Sequence, residues 1–163
     1  PGFLFMEYFL DFGYVGLFFG SFLASTIIPL SSEILLGGML LAGGNPWLCF
    51  VLATAGNGLG SVTSYGLGYL GKWQWIEKWM RVKKETLEKQ QKVILKWSSL
   101  AALFCWLPFV GDVLAIGLGF YRMPFWKTTF FMFLGKALRY LFWIGLWLIL
   151  QTIHHAEGKI ALL

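Results

Sequence analysis

Two apolar stretches of this chain are each broken by a proline that is followed four residues later by a carboxylic acid. Residues 12–43 contain Pro29 and Glu33, and residues 97–121 contain Pro108, Gly111 and Asp112. A proline inside a helix removes a backbone hydrogen bond and clashes with the preceding turn. A charged side chain at membrane depth costs at least ~2.5–3.5 kcal/mol on insertion scales. A chain keeps both features only if it folds so that the broken backbone and the acids are shielded from lipid. Lipid is the expected surroundings: 58% of the 163 residues are hydrophobic and 13% are charged, against about 25% charged in soluble domains. Too few polar groups remain to cover a globular surface. Nine Trp and sixteen Phe suit interfacial aromatic belts.

The breaks leave short limbs. Residues 97–107 and 113–121 reach only ~13–17 Å as helices, about half of a hydrocarbon core, so they read as a re-entrant hairpin entering and leaving on one side. Broken backbone at that depth is tolerated where it is buried in protein or lines a water cavity. The uncharged run 47–71 and the run 125–151, whose charges are Lys127, Lys136 and Arg139, are each long enough to span. Residues 12–28 could nearly span by themselves, and their reading as a hairpin limb rests on an internal comparison. A shift of 79 residues lays Pro29 on Pro108, Glu33 on Asp112, Gly38 on Gly117, Trp47 on Trp126 and Gly56 on Gly135. Both halves therefore read as a hairpin plus one span. One crossing per repeat inverts the second repeat relative to the first, as in many secondary transporters. The expected fold is an all-α integral membrane domain over residues 1–163: repeat 1 at about 12–71, a connector at 72–96, repeat 2 at about 97–151 and a tail at 152–163.

The charge distribution fits this topology. The connector holds eight Lys/Arg and three Glu, which argues for a cytoplasmic loop under the positive-inside rule rather than for a nucleic-acid site. Trp73, Ile76, Trp79, Met80 and Leu87 are spaced mostly by three and four, the pattern of an amphipathic helix in the interface with Lys reaching anionic headgroups. Both termini then fall on the periplasmic side. No cleavable signal peptide is evident before Gly16, where there are acids and no Lys or Arg. Cys49 and Cys105 read as buried thiols, with no metal spacing. His154 and His155 lie in the tail, so no nucleophile–base or metal arrangement, no cofactor and no enzymatic activity are expected.

Four charged residues fall at membrane depth: Glu33, Asp112, Lys136 and Arg139. If the hairpin tips face each other, the two acids meet in a low-dielectric interior, where a carboxylate can exchange a proton near neutral pH. Lys136 and Arg139 share one helix face, bordered by Tyr140. The repeat lays Asn57 on Lys136 and Gly60 on Arg139. A phosphate could be held by the Arg139 fork and the Lys136 point charge. The plainer alternative makes all four structural, as Asp112–Arg139 and Glu33–Lys136 ion pairs. Gly56, Gly58 and Gly60, with Thr54, Ser61 and Ser64, read as small residues for close helix packing, as do Gly66, Gly68 and Gly71.

The runs Pro29-Leu-Ser-Ser-Glu33, Gly56-Asn57-Gly58-Leu59-Gly60, Pro108-Phe-Val-Gly-Asp112, Arg122-Met-Pro124 and Gly135-Lys136-Ala-Leu-Arg139-Tyr140, with Tyr65 and Gly68, resemble the DedA family (the VTT, or SNARE-associated Golgi protein, domain), most of all its short YqaA-type branch. The likeness covers about residues 20–150. It implies a multi-pass bacterial inner-membrane protein with two opposed re-entrant hairpins, linked to envelope homeostasis and to translocation or scrambling of lipids such as undecaprenyl phosphate, with dependence on the proton motive force. On that resemblance Glu33 matches the family's essential hairpin acid. Most members carry arginines three residues either side of the second proline, where this chain has Cys105 and Gly111; Lys136 and Arg139 are candidates to replace them. The expected function is transport of an anionic lipid, polyprenyl phosphate or phospholipid, with Glu33 and Asp112 as proton-coupling acids and Lys136, Arg139, Asn57 and Tyr140 as the substrate-binding set. The alternatives are a carrier of a small polar solute or ion and a non-transporting envelope-homeostasis protein. Homo-oligomerisation is left open.

Overall fold

The computed structural model describes residues 2–26, 31–71, 74, 77–78, 83–107 and 110–160, with side chains from residue 10 onward except those of 87, 93 and 158–160. Its order is α1 (Gly2–Ala24), α2 (Ser32–Leu41), α3 (Pro46–Leu70), α4 (Lys84–Lys96), α5 (Ser98–Leu103), a 3₁₀ turn (Phe104–Trp106), α6 (Val110–Phe120) and α7 (Phe125–Ile160). No strand occurs among the described residues.

Local chemistry sets the ends of these helices. The Asn45 side chain caps α3 by accepting from the Trp47 and Leu48 amides at 2.9 and 3.3 Å. Pro46 occupies a first-turn position, where a missing N–H costs nothing. Gly71, at φ +63°, ends α3 in the left-handed conformation that favours glycine. The Asn45 amide also donates to the Tyr14 hydroxyl at 2.7 Å, tying α1 to the turn between α2 and α3.

The breaks fall where the sequence puts them, although Pro29 and Pro108 themselves lie outside the described residues. α1 ends at Ala24 and α2 starts at Ser32; the 3₁₀ turn ends at Trp106 and α6 starts at Val110. Two boundaries differ from expectation. α1 begins at Gly2, ten residues before the limb read from residue 12. α6 begins at Val110, so Asp112 sits inside its first turn rather than between the limbs, as Glu33 does in α2. In both helices the carboxylate lies near the positive end of the dipole, which favours an anion there.

Two apolar clusters give the helix directions. Leu17, Leu36, Leu40, Cys49, Ala53, Tyr140 and Ile144 form one, and Tyr65, Ile94, Ala101, Ala102, Cys105, Leu114, Ala115, Leu118 and Met132 the other. Cys49 and Ala53 of α3 share the first cluster with Tyr140 and Ile144 of α7, and Tyr65 of α3 shares the second with Met132 of α7. α3 and α7 are therefore antiparallel, as Gly58 against the Phe133 ring and Tyr65 beside Phe125 also require. Phe12, Phe19, Ile34, Leu41, Trp47 and Trp126 are exposed on the outside, an apolar exterior suited to lipid. Phe125–Glu157 is long and apolar enough to cross a membrane by length and composition.

Close backbone approach carries the α3–α6 crossing. A Cβ on Gly68 would overlap the Ile116 carbonyl, and one on Gly119 the Tyr65 carbonyl. Gly56 lies in the same way against the Phe18 carbonyl and its repeat partner Gly135 against that of Leu103. Gly66 differs from the packing expectation, since it faces open space. Trp73, Ile76, Trp79 and Met80 lie outside the described residues, as does the Leu87 side chain; in α4, Ile94 is fully buried in the second cluster while Lys84, Lys89, Lys92 and Lys96 stay exposed. Ile94 thus packs α4 onto the protein itself.

Gly119→Ala is expected to destabilise the protein by about 1–3 kcal/mol, because the obstructing atoms are backbone and cannot rotate away. Gly66→Ala should be neutral or slightly stabilising. Thermal unfolding of the two variants in detergent checks the contrast.

Candidate functional site

The interior charges come from three helices and are sorted into two pairs. α7 places Lys136 and Arg139 on neighbouring positions of one face, α2 supplies Glu33 and α6 supplies Asp112. Lys136 Nζ lies 3.7 Å from Asp112 Oδ1, and Arg139 Nη2 pairs with Glu33 Oε1. This is the reverse of the pairing named in the structural alternative. The one-turn offset between Lys136 and Arg139 decides it: the lysine points at α6 and the arginine at α2.

The Asp112–Lys136 pair belongs to a buried hydroxyl network. Ser25 Oγ, in the turn that ends α1, donates to Asp112 Oδ1 at 3.0 Å and accepts from Lys136 Nζ at 3.3 Å. Its one proton is thereby used, so the 2.9 Å contact with Ser61 must have Ser61 as donor. Ser64 Oγ donates to the Ser25 carbonyl and Asn57 Nδ2 to the Ser21 carbonyl, both at 3.0 Å. The polar face of α3, at spacings of four and three, thus satisfies carbonyls that the end of α1 leaves free. Lys136 is almost fully buried, with 3% of its side chain exposed against 30% for Asp112. Asn57 Oδ1 is buried without a protein partner among the described residues.

The Glu33–Arg139 pair has different surroundings. Arg139 Nη1 donates to the Trp106 carbonyl at 2.9 Å, so one guanidinium joins the breaks of both halves. Glu33 Oε2 accepts from Ser31 Oγ at 2.6 Å. Behind this pair the buried Tyr140 donates to Ser32 Oγ at 2.8 Å. In front of it opens a cavity of about 810 Å³ lined by Ser31, Glu33, Leu103, Trp106, Leu138, Arg139, Phe142 and Trp143. Leu138, Phe142 and Trp143 are also exposed, so the cavity opens on the apolar exterior. Its walls are hydrocarbon and aromatic, and its charged end is Arg139 with Glu33.

Of the residues singled out from sequence, Glu33 and Arg139 line this cavity. Asp112, Lys136 and Asn57 form the adjoining buried network, and Tyr140 stands between the two through Ser32. Ser21, Ser25, Ser32 and the Trp106 carbonyl were not singled out. The face Asn57-Ser61-Ser64 was legible as a helical stripe, but its targets, the ends of a broken helix, were not. Among the described residues no group of three or more His, Cys, Asp and Glu is placed to hold a metal ion.

An all-helical chain with an apolar exterior and a helix long and apolar enough to cross a membrane fits a membrane protein. The VTT domain profile matches residues 28–147, and the chain belongs to that family, the DedA family. It is 37% identical over 125 residues to the inner membrane protein YqaA of Escherichia coli, covering 76% of this chain and 83% of that one. An uncharacterised protein of Haemophilus influenzae is 33% identical over 132 residues, covering 76% and 80%, and one of Methanocaldococcus jannaschii is 30% identical over 146 residues, covering 84% and 88%. No solved structure gives a significant match.

Removing one partner of the inner pair leaves a buried charge unmatched. Lys136→Met is expected to cost about 3 kcal/mol, the low end for a broken buried pair because Asp112 keeps partial exposure. Asp112→Asn combined with Lys136→Met should recover most of that loss. Thermal unfolding of the single and double variants reads the coupling.

Proposed function

We propose that this protein is a multi-pass inner-membrane transporter that moves an anionic lipid, a polyprenyl phosphate or a phospholipid, between leaflets. The lateral cavity carries the proposal: an apolar slot with a cation at its inner end suits an amphiphile whose chain stays among Leu103, Trp106, Leu138, Phe142 and Trp143 while its headgroup reaches Arg139. Cavities of roughly 300–1,000 Å³ suit ligand-sized groups. Arginine presents a planar fork to phosphate, which adds geometry to charge.

In this reading the two halves are inverted repeats whose hairpins meet from opposite sides, a reading supported by the antiparallel α3 and α7. Lys136, Asn57 and Tyr140 form the polar backing of the headgroup site. Glu33 and Asp112 are the proton-exchanging groups, each beside a cation that its protonation would release. A small polar solute is a poorer fit, since it would leave the hydrocarbon walls unused.

The experiment is reconstitution into liposomes with fluorescent phospholipid or polyprenyl phosphate, followed by quenching of the outer leaflet. Wild-type protein should expose the inner-leaflet lipid, faster with a pH gradient imposed. Arg139→Ala should reduce that rate at least tenfold at unchanged protein level. Equal rates in protein-free and protein-loaded vesicles, for every lipid tried, would remove the reading.

A further inference from the structure

Glu33 occupies the place that an anionic headgroup needs. Arg139 has two described partners, the Trp106 carbonyl and the Glu33 carboxylate. The carbonyl is backbone in the break before residue 108 and stays there whatever binds. The carboxylate sits on a side chain in the first turn of α2, held besides by Ser31 Oγ. A phosphate oxygen and a carboxylate oxygen make the same demand on a guanidinium, so the exchangeable partner is Glu33.

Charge balance leads to the same place. The charged end of the cavity carries one cation and one anion and is neutral. Asp112 and Lys136 already match each other, and Tyr140 is tied to Ser32. The polar groups that α1 and α3 bring to the interior, Ser21, Ser25, Asn57, Ser61 and Ser64, carry no charge. A monoanionic headgroup added beside an intact Glu33–Arg139 pair would leave a net negative charge in a low-dielectric site, with two anions side by side. Entry is favourable only if Glu33 leaves Arg139, either neutralised by one proton or swung toward water.

We infer that Glu33 is an internal competitor for the headgroup: it holds the Arg139 fork in the empty protein and is displaced when an anionic lipid binds. The inference rests on the lipid reading above and adds to it how the site is kept shut. Arg139 then joins the hairpin of α2 to the Trp106 break in the empty protein, and the headgroup takes over the α2 side of that link. Phosphate chemistry is what the site selects, and a lipid headgroup or inorganic phosphate could supply it.

The test measures binding and transport separately. The probe is lysophosphatidylglycerol, a phosphodiester whose single charge does not change near neutral pH, titrated into purified protein in neutral detergent; lysophosphatidylcholine and inorganic phosphate are parallel arms. Glu33→Gln keeps the shape and removes the competing charge. It is expected to bind lysophosphatidylglycerol about tenfold more tightly than wild type, roughly 1.4 kcal/mol, while lipid flipping in liposomes falls. Tighter binding also certifies that the variant is folded, which loss of transport alone would not. Lysophosphatidylcholine affinity should be unchanged, because its own cation already balances its phosphate. Tightening for inorganic phosphate to the same extent assigns the site to the bare anion; tightening for the lipid alone assigns it to the amphiphile. Weaker or equal binding of lysophosphatidylglycerol by Glu33→Gln, with binding lost in Arg139→Ala, overturns the competitor and leaves the lipid site standing. Undiminished binding in Arg139→Ala overturns both.

Discussion

Backbone groups and charges that a helix cannot satisfy by itself must find partners before they meet hydrocarbon, and the rest of this molecule is arranged around that requirement. The breaks near residues 29 and 108 leave carbonyls exposed at the end of α1 and in the 3₁₀ turn after α5. α3 answers the first with Asn57 and Ser64, which donate to the Ser21 and Ser25 carbonyls. α7 answers the second with Arg139, which donates to the Trp106 carbonyl. The same two helices bring the glycines that let the limbs lie close enough to be reached. Packing and polar satisfaction are thus one problem here: without Gly56 against Phe18, Asn57 would not sit within reach of Ser21.

Charge follows from that placement. A cation is needed where a break offers a carbonyl, and a buried cation needs an anion. Arg139 meets both conditions through Trp106 and Glu33, and Lys136 meets its own through Asp112 and Ser25. The two pairs look alike in composition and differ in surroundings. One is held among the hydroxyls of Ser25, Ser61 and Ser64. The other closes the inner end of an apolar cavity that opens on the apolar exterior. The amphiphile function proposed above uses the second pair, with the first beside it.

The family and this geometry bear on each other. Relatives with 30–37% identity include an inner membrane protein, and the positions three residues either side of Pro108, Cys105 and Gly111, are closely packed. Cys105 is fully buried, and a Cβ on Gly111 would collide with the Cys105 carbonyl. Arginines would not fit at either position in this packing. The cation facing the second break comes from α7.

The sequence by itself determined the medium, the breaks, the small-residue faces and the identity of the four interior charges, because each of these is a property of composition or of spacing along one helix. The 79-residue correspondence was legible for the same reason. Which acid meets which base was not, since that depends on how far α7 is rotated against α2 and α6, and a three-residue spacing allows either pairing. Nor could the sequence show that Ser25 and Ser32 matter, since a serine at the end of a broken helix looks like any other until its neighbour across the fold is known. The cavity is likewise a tertiary fact: Leu103, Trp106, Leu138, Phe142 and Trp143 are ordinary lipid-facing residues in one dimension, and only the angle between two hairpins and one long helix leaves the space between them.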